Sequence, residues 1–146
     1  YTIAGGPTSV ATRIVGSDLP TMGVLLVMMV IFLVLGAFMD WTGIVLLVMP
    51  VFLPIVLKLP IEELGLTGGL DSSTMVRVWF GILFCVNMQV SFLSPPFGPA
   101  AFYLKSVAPP HITLPDIFRG FLPFIAMQIF ILMIILLVPE ITTVFL

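Results

Sequence analysis

Charge is what this sequence has least of. Five basic and seven acidic side chains among 146 residues give a net charge of -2 and a charged fraction of 8%. A soluble domain carries roughly 25% charged residues, so these side chains cannot make a water-compatible surface. They also exclude a nucleic-acid partner and a polybasic lipid-binding face. Cysteine is nearly absent as well: Cys85 stands alone in an apolar run, which excludes a disulfide framework and leaves the redox compartment unread. No His-Glu-x-x-His zinc pattern, Gly-x-Ser-x-Gly elbow or Gly-rich phosphate loop ending in Lys-Ser/Thr occurs. Asp40 has no second aspartate in another apolar run, which removes an intramembrane aspartyl protease, and His111 has no Cys or carboxylate cluster to make a metal site. The reading is therefore not an enzyme and has no cofactor. The opening residue is Tyr1, and residues 1–18 have neither the basic nor the apolar region of a signal peptide. The chain is expected to begin in the middle of a longer protein, with 1–18 a preceding loop or short interfacial helix.

What is present in abundance is apolar surface: 60% hydrophobic residues and a mean hydropathy of +1.29. Four long uncharged runs, Leu19 to Met39, Trp41 to Leu57, Val78 to Leu104 and Gly120 to Pro139, are apolar on all faces. All-round apolarity suits lipid or a buried membrane core. The fold class is all-α, a polytopic membrane protein in the lipid bilayer. A helix needs about 20 residues to cross ~30 Å of hydrocarbon, and the first and last runs are long enough. Trp41 to Leu57 reaches only about 25 Å and contains Pro50 and Pro54, so it reads as a half-span or a kinked helix. The expected organisation is an apolar region over 19–57, interrupted near Gly36 to Asp40, and a polar loop over 58–77. A broken helix over 78–104 with its break at 94–99 follows, then a loop over 105–119, a transmembrane helix over 120–139 and a tail over 140–146. Ser72 or Ser73 is a candidate N-cap, and so is Thr113 with Asp116 in the first turn. The five basic residues give no decisive positive-inside bias, and Lys105 and Arg119 read as interface anchors.

The informative points are where the apolar runs are interrupted, Gly36-Ala37-Phe38-Met39-Asp40 and Ser91-Phe92-Leu93-Ser94-Pro95-Pro96-Phe97-Gly98-Pro99. Every backbone N–H and C=O in hydrocarbon needs a partner, so backbone that leaves the helix at membrane depth survives only where protein buries it or where it lines a cavity. In transporters, interrupted helices are where ions and substrate are held. Gly36, Ala37, Asp40, Ser94, Pro95 and Gly98 are thus candidate cation ligands, partly through backbone carbonyls. Each has a plainer alternative. Asp40 at the membrane centre would cost about 2.5–3.5 kcal/mol and so act in function, whereas at the surface it is an interfacial cap. Ser94 to Gly98 either lines a site or makes an interhelical turn. Asn87, Gln89 and Ser91 either line a substrate cavity or hydrogen-bond between helices, residues 87 and 91 being one turn apart on a common face.

At these interruptions the sequence resembles a known family, the large membrane subunit of tripartite ATP-independent periplasmic transporters. The matching strings are Leu35 to Asp40, Met49-Pro50-Val51-Phe52-Leu53-Pro54-Ile55-Val56, Ser91 to Ala100, Phe102 to Pro109, Asp116-Ile117-Phe118-Arg119-Gly120, Pro123-Phe124 and Pro139-Glu140, in order from about Leu19 to the end. The family often has Thr where Ser94 stands, which keeps the hydroxyl. The stretch from Gly65 to Thr74 is longer than in many members. The resemblance implies the C-terminal part of a sodium-driven secondary transporter, the second of two inverted repeats, with a re-entrant helical hairpin over 19–57, its tip at 36–43, and the broken helix meeting it near the membrane centre. Sodium would be the coupling ion and a small organic acid the substrate. The implied partners are the N-terminal repeat of the same subunit, a small membrane subunit and a periplasmic binding protein, in the bacterial inner membrane. A pore-forming channel subunit and a structural membrane anchor remain as alternatives, the first because a broken helix can also form a filter.

Overall fold

A computed structural model describes residues 20–64, 70, 72–95 and 98–144. The expected loop or interfacial helix over 1–18, the loop residues Gly65, Gly68, Gly69 and Asp71, the pair Pro96 and Phe97 and the last two residues of the tail lie outside the described residues. Among the described residues there are seven α-helices and no strand: α1 (Thr21–Phe38), α2 (Trp41–Leu47), α3 (Met49–Val56), α4 (Ser73–Leu93), α5 (Pro99–Val107), α6 (Leu114–Leu137) and α7 (Glu140–Thr143). A 3-10 turn, Ile61–Glu63, follows α3. Three helices, α1, α4 and α6, are long and apolar enough to cross a membrane. At 1.5 Å per residue they extend about 27, 31 and 36 Å.

Capping and proline placement set where these helices begin and end. The Oγ of Ser72 accepts the Met75 N–H at 3.3 Å, so α4 starts at Ser73 and takes residues 73–77 from the stretch expected to be loop. α6 likewise begins at Leu114, not at the first residue of its apolar run: the Thr113 N–H donates to the Asp116 carboxylate at 3.0 Å and the Thr113 hydroxyl donates to the same oxygen. An apolar run marks which residues suit lipid, whereas a cap marks where the backbone can enter a helix. The expected loop over 105–119 shrinks between α5 and α6 to residues 108–113. Lys105 closes it, its Nζ donating to Ile112 O at 2.6 Å. The expected tail contains the short helix α7.

Prolines explain the division of the second run. Pro50 lies in the first turn of α3, where a missing N–H costs nothing to α3 but denies Leu46 O its helical donor, and the two helices meet at Val48. At the far end Pro139 denies a donor to Ile135 O. That buried carbonyl takes the indole N–H of Trp79 on α4 instead, at 2.8 Å.

The core forms where α4 packs against α1 on one side and α6 on the other. Phe32 of α1 is its centre, with ring centroids 5.1 Å from Phe52, 5.2 Å from Phe84 and 6.1 Å from Phe80. The first two pairs are edge-on, the geometry that aromatic quadrupoles favour. Trp79, Phe80 and Leu83 of α4 are fully buried against this cluster. The outward faces of α1 and α6, including Val30, Leu122, Phe124 and Phe130, remain exposed and apolar, as lipid-facing surfaces are. The protein is a multi-pass membrane protein by this pattern.

Candidate functional site

The first interruption is narrower than the sequence suggests. α1 runs through Gly36 and Ala37 to Phe38, and only Met39 and Asp40 leave the helix, both in extended conformation. Trp41, Thr42 and Gly43, expected in the tip, are the first residues of α2. Gly36 therefore does not break the helix. A glycine in a helix interior is used when a neighbour comes too close for a side chain, and that is its situation. A Cβ added there would lie 2.5 Å from Ser91 Cβ and 2.6 Å from Ser91 Oγ on α4. Ala37 is buried in the same last turn. Asp40 is exposed and caps α2, its Oδ2 accepting the Thr42 N–H at 3.1 Å.

The second interruption lies between Leu93, the last residue of α4, and Pro99, the first of α5. Ser94 is extended, its N–H turned to Ser91 O at 3.1 Å. Its hydroxyl takes the place that this N–H would have had, donating to Val90 O at 2.7 Å. A hydroxyl that donates in this way keeps its lone pairs for a cation. Pro95 and Pro96 have no N–H to offer Ser91 O and Phe92 O, so the helix cannot continue through them. Pro95 is exposed, whereas Gly98 is buried against the end of α4. A Cβ on Gly98 would meet Ser94 O at 2.7 Å and Phe92 O at 3.0 Å. The chain can fold back over these carbonyls because residue 98 has no side chain. Pro99, expected in the break, instead starts α5 from a first-turn position that requires no N–H.

Of the three polar residues leading to this break, two face α1. The Nδ2 of Asn87 donates to Met29 O at 2.8 Å, and Ser91 Oγ reaches Leu33 O and Asn87 O, each at 3.2 Å. Both residues are buried, while Gln89, turned to another face, is exposed. Asn87 also borders an open apolar groove of about 170 Å³ between α1, α4 and α6, lined by Met29, Leu33, Leu132 and Met133. Its Oδ1 is buried with no hydrogen-bond partner among the described residues, as is Gln128 Oε1 on α6. The structure thus joins Gly36 to Ser91 and Asn87 to α1, and places Asp40 and Gln89 on exposed surface. Sequence reasoning missed Trp79, whose partner carbonyl is signalled only by Pro139, four residues beyond Ile135. No group of three or more His, Cys, Asp or Glu able to hold a metal occurs among the described residues, and His111 is exposed.

The family model described as the tripartite ATP-independent periplasmic transporter, DctM component, matches residues 1–141. The isethionate TRAP transporter permease protein DctMQ of Oleidesulfovibrio alaskensis is 30% identical over 96% of this chain and 20% of its own length. The C4-dicarboxylate TRAP transporter large permease protein DctM of Pseudomonas aeruginosa is 27% identical over 93% of this chain and 28% of its own. The sialic acid TRAP transporter permease protein SiaT of Haemophilus influenzae is 28% identical over 82% and 17%. The chain thus spans less than a third of the length of these relatives. No solved structure matches. These relatives are transporter permeases and not enzymes, and with a family model that matches most of its length and three helices able to span a bilayer, the chain belongs to the DctM component family of tripartite ATP-independent periplasmic transporters.

Proposed function

We propose that this chain supplies part of the cation and substrate site of a sodium-coupled permease for small organic acids in the bacterial inner membrane. The observation that supports the reading is the contact of Gly36 with Ser91, which sets the last turn of α1 against the last turn of α4 just ahead of each interruption, together with the Ser94 hydroxyl on the end of α4. Carbonyls at the ends of interrupted helices, with a hydroxyl and a carboxylate nearby, make an oxygen-only ligand set suited to a hard monovalent cation. In this reading sodium is held by backbone at Gly36, Ala37, Pro95 and Gly98 and by the side chains of Ser94 and Asp40. The N-terminus of α5 then faces the anionic group of the substrate. The relatives' named substrates, isethionate, C4-dicarboxylate and sialic acid, are small organic anions, which supports that class for this chain. The working transporter further needs the rest of the same subunit, a small membrane subunit and a periplasmic binding protein. The chain alone should not transport.

The test is substrate uptake against sodium concentration in the complete transporter, at matched membrane levels. Ser94→Ala removes one hydroxyl with little change of shape, and Asp40→Asn removes charge while leaving a side-chain oxygen able to cap α2. Each should raise the sodium concentration needed for half-maximal uptake, while Ser94→Thr keeps its hydroxyl and should be tolerated. Unchanged sodium dependence in both Ser94→Ala and Asp40→Asn would leave these side chains a structural role. Uptake that never saturates with substrate would favour a channel.

A further inference from the structure

We infer that Gly36, Asn87 and Ser91 are positioning residues, a clamp that fixes the Met39–Asp40 interruption against the Ser94–Gly98 interruption. Met29, Leu33 and Gly36 recur at helical spacing on one face of α1, and Asn87 and Ser91 do so on α4. The two rows meet rung by rung: Asn87 Nδ2 on Met29 O at 2.8 Å, the Ser91 hydroxyl 3.2 Å from Leu33 O and sharing its one proton with Asn87 O of its own helix, then Gly36 directly on Ser91. Lipid tails are as apolar as the helix faces, so association inside a bilayer depends on close packing and on interhelical hydrogen bonds. This contact has both. Its position matters more than its strength. Gly36 is two residues from the end of α1 and Ser91 two from the end of α4, about 3 Å of helix in each case. The short Ser91 side chain stands directly against Gly36, with the Met88 methyl beside it, so a displacement of one helix end relative to the other is met at once by the Ser91 Cβ. The inference rests on the proposed cation site, because ligands drawn from two chain interruptions bind a small ion only when their separation is held.

The test exchanges the small residue across the contact in the complete transporter. Gly36→Ala introduces a Cβ where Ser91 already stands, and Ser91→Gly removes the obstacle. Spin labels at Leu46→Cys on α2 and Tyr103→Cys on α5, in a Cys85→Ala background, report the distance between the two helices that follow the interruptions. Both label sites are exposed and outside the clamp. Gly36→Ala should broaden or shift this distance distribution and raise the sodium concentration for half-maximal uptake about tenfold, the scale expected of overpacking a close contact. The double variant Gly36→Ala/Ser91→Gly should restore a narrow distribution and return sodium dependence to within about twofold of the parent. Ser91→Ala, which keeps the Cβ and loses only the hydroxyl, should fold and show a smaller change in the same direction, so the clamp stays testable if Gly36→Ala does not reach the membrane. An unchanged distribution in the single variants, or a double variant no better than the worse single, would overturn the clamp. A broadened distribution with unaltered sodium dependence would overturn its role in positioning the site. If uptake by the parent ignores sodium, the proposed coupling fails, and the distance measurements still decide the clamp.

Discussion

At the residue scale, Asp40 combines two roles that a single substitution can confuse. Its carboxylate caps α2 through the Thr42 N–H, and the same charge is a candidate cation ligand. An N-cap lost to Ala costs about 0.5–2 kcal/mol, whereas Asn caps about as well as Asp. Asp40→Ala is therefore expected to lower the thermal unfolding midpoint of the purified full-length subunit in detergent, and Asp40→Asn to leave it within error of the parent. A drop of the same size in both would mean that the charge itself stabilises the fold. Ser94 presents the same question in milder form, since its hydroxyl replaces a helical donor at Val90 O. The spacing of Asn87 and Ser91 made their common face legible in sequence. That the face meets backbone carbonyls of α1 was not, because a carbonyl acceptor leaves no mark on side-chain identity.

At the element scale, proline decides how the helices end and tertiary contact repairs what proline removes. Ile135 O would bond the N–H of residue 139, which is a proline, and Trp79 Nε1 supplies the missing donor from α4. Replacing Trp79 by Phe keeps an aromatic ring there but leaves a buried carbonyl unsatisfied. The expected cost is about 1–3 kcal/mol, at the lower end where the membrane-unfolded state finds substitute partners. Thermal unfolding of Trp79→Phe in detergent should show this loss, and a stability equal to the parent would mean that water or lipid satisfies Ile135 O. The helix starts had a clearer local origin. Ser72 before α4 and the Thr113–Asp116 pair before α6 are short-range motifs, legible as candidates from sequence, and they overrule apolarity as the marker of where each helix begins.

At the scale of the whole molecule, the exposed faces of α1 and α6 require something apolar around them. Phe130 is 65% exposed and Phe124 56%, so neither is explained by the packing within this chain. Both fall in a helix that can span the hydrocarbon, whereas His111 lies in the polar connection before it. In membranes carrying the complete transporter, a cysteine introduced at Phe130 should resist a membrane-impermeant maleimide in vesicles of either orientation. One at His111 should react in vesicles of one orientation. Rapid labelling at Phe130→Cys would mean that this face lines a water-filled path, and that α6 is not a lipid-facing or protein-covered span.

The sequence by itself determined the solvent and where interruptions can fall: too little charge for water, runs long enough for a bilayer, and prolines that withdraw backbone donors, of which those at 50, 95 and 139 stand at helix boundaries while Pro54 and Pro123 are carried inside α3 and α6. Those properties are local, because hydrophobic length and a missing N–H act wherever the chain is placed. Tertiary structure decided what Gly36 is for. Read along the chain it belongs to a break, but in the fold it is an interior helix residue whose missing Cβ admits Ser91. The runs are apolar on every side, so no periodic pattern in α1 announces which face turns towards α4. That choice depends on which backbone can approach which, and only the packed helices fix it.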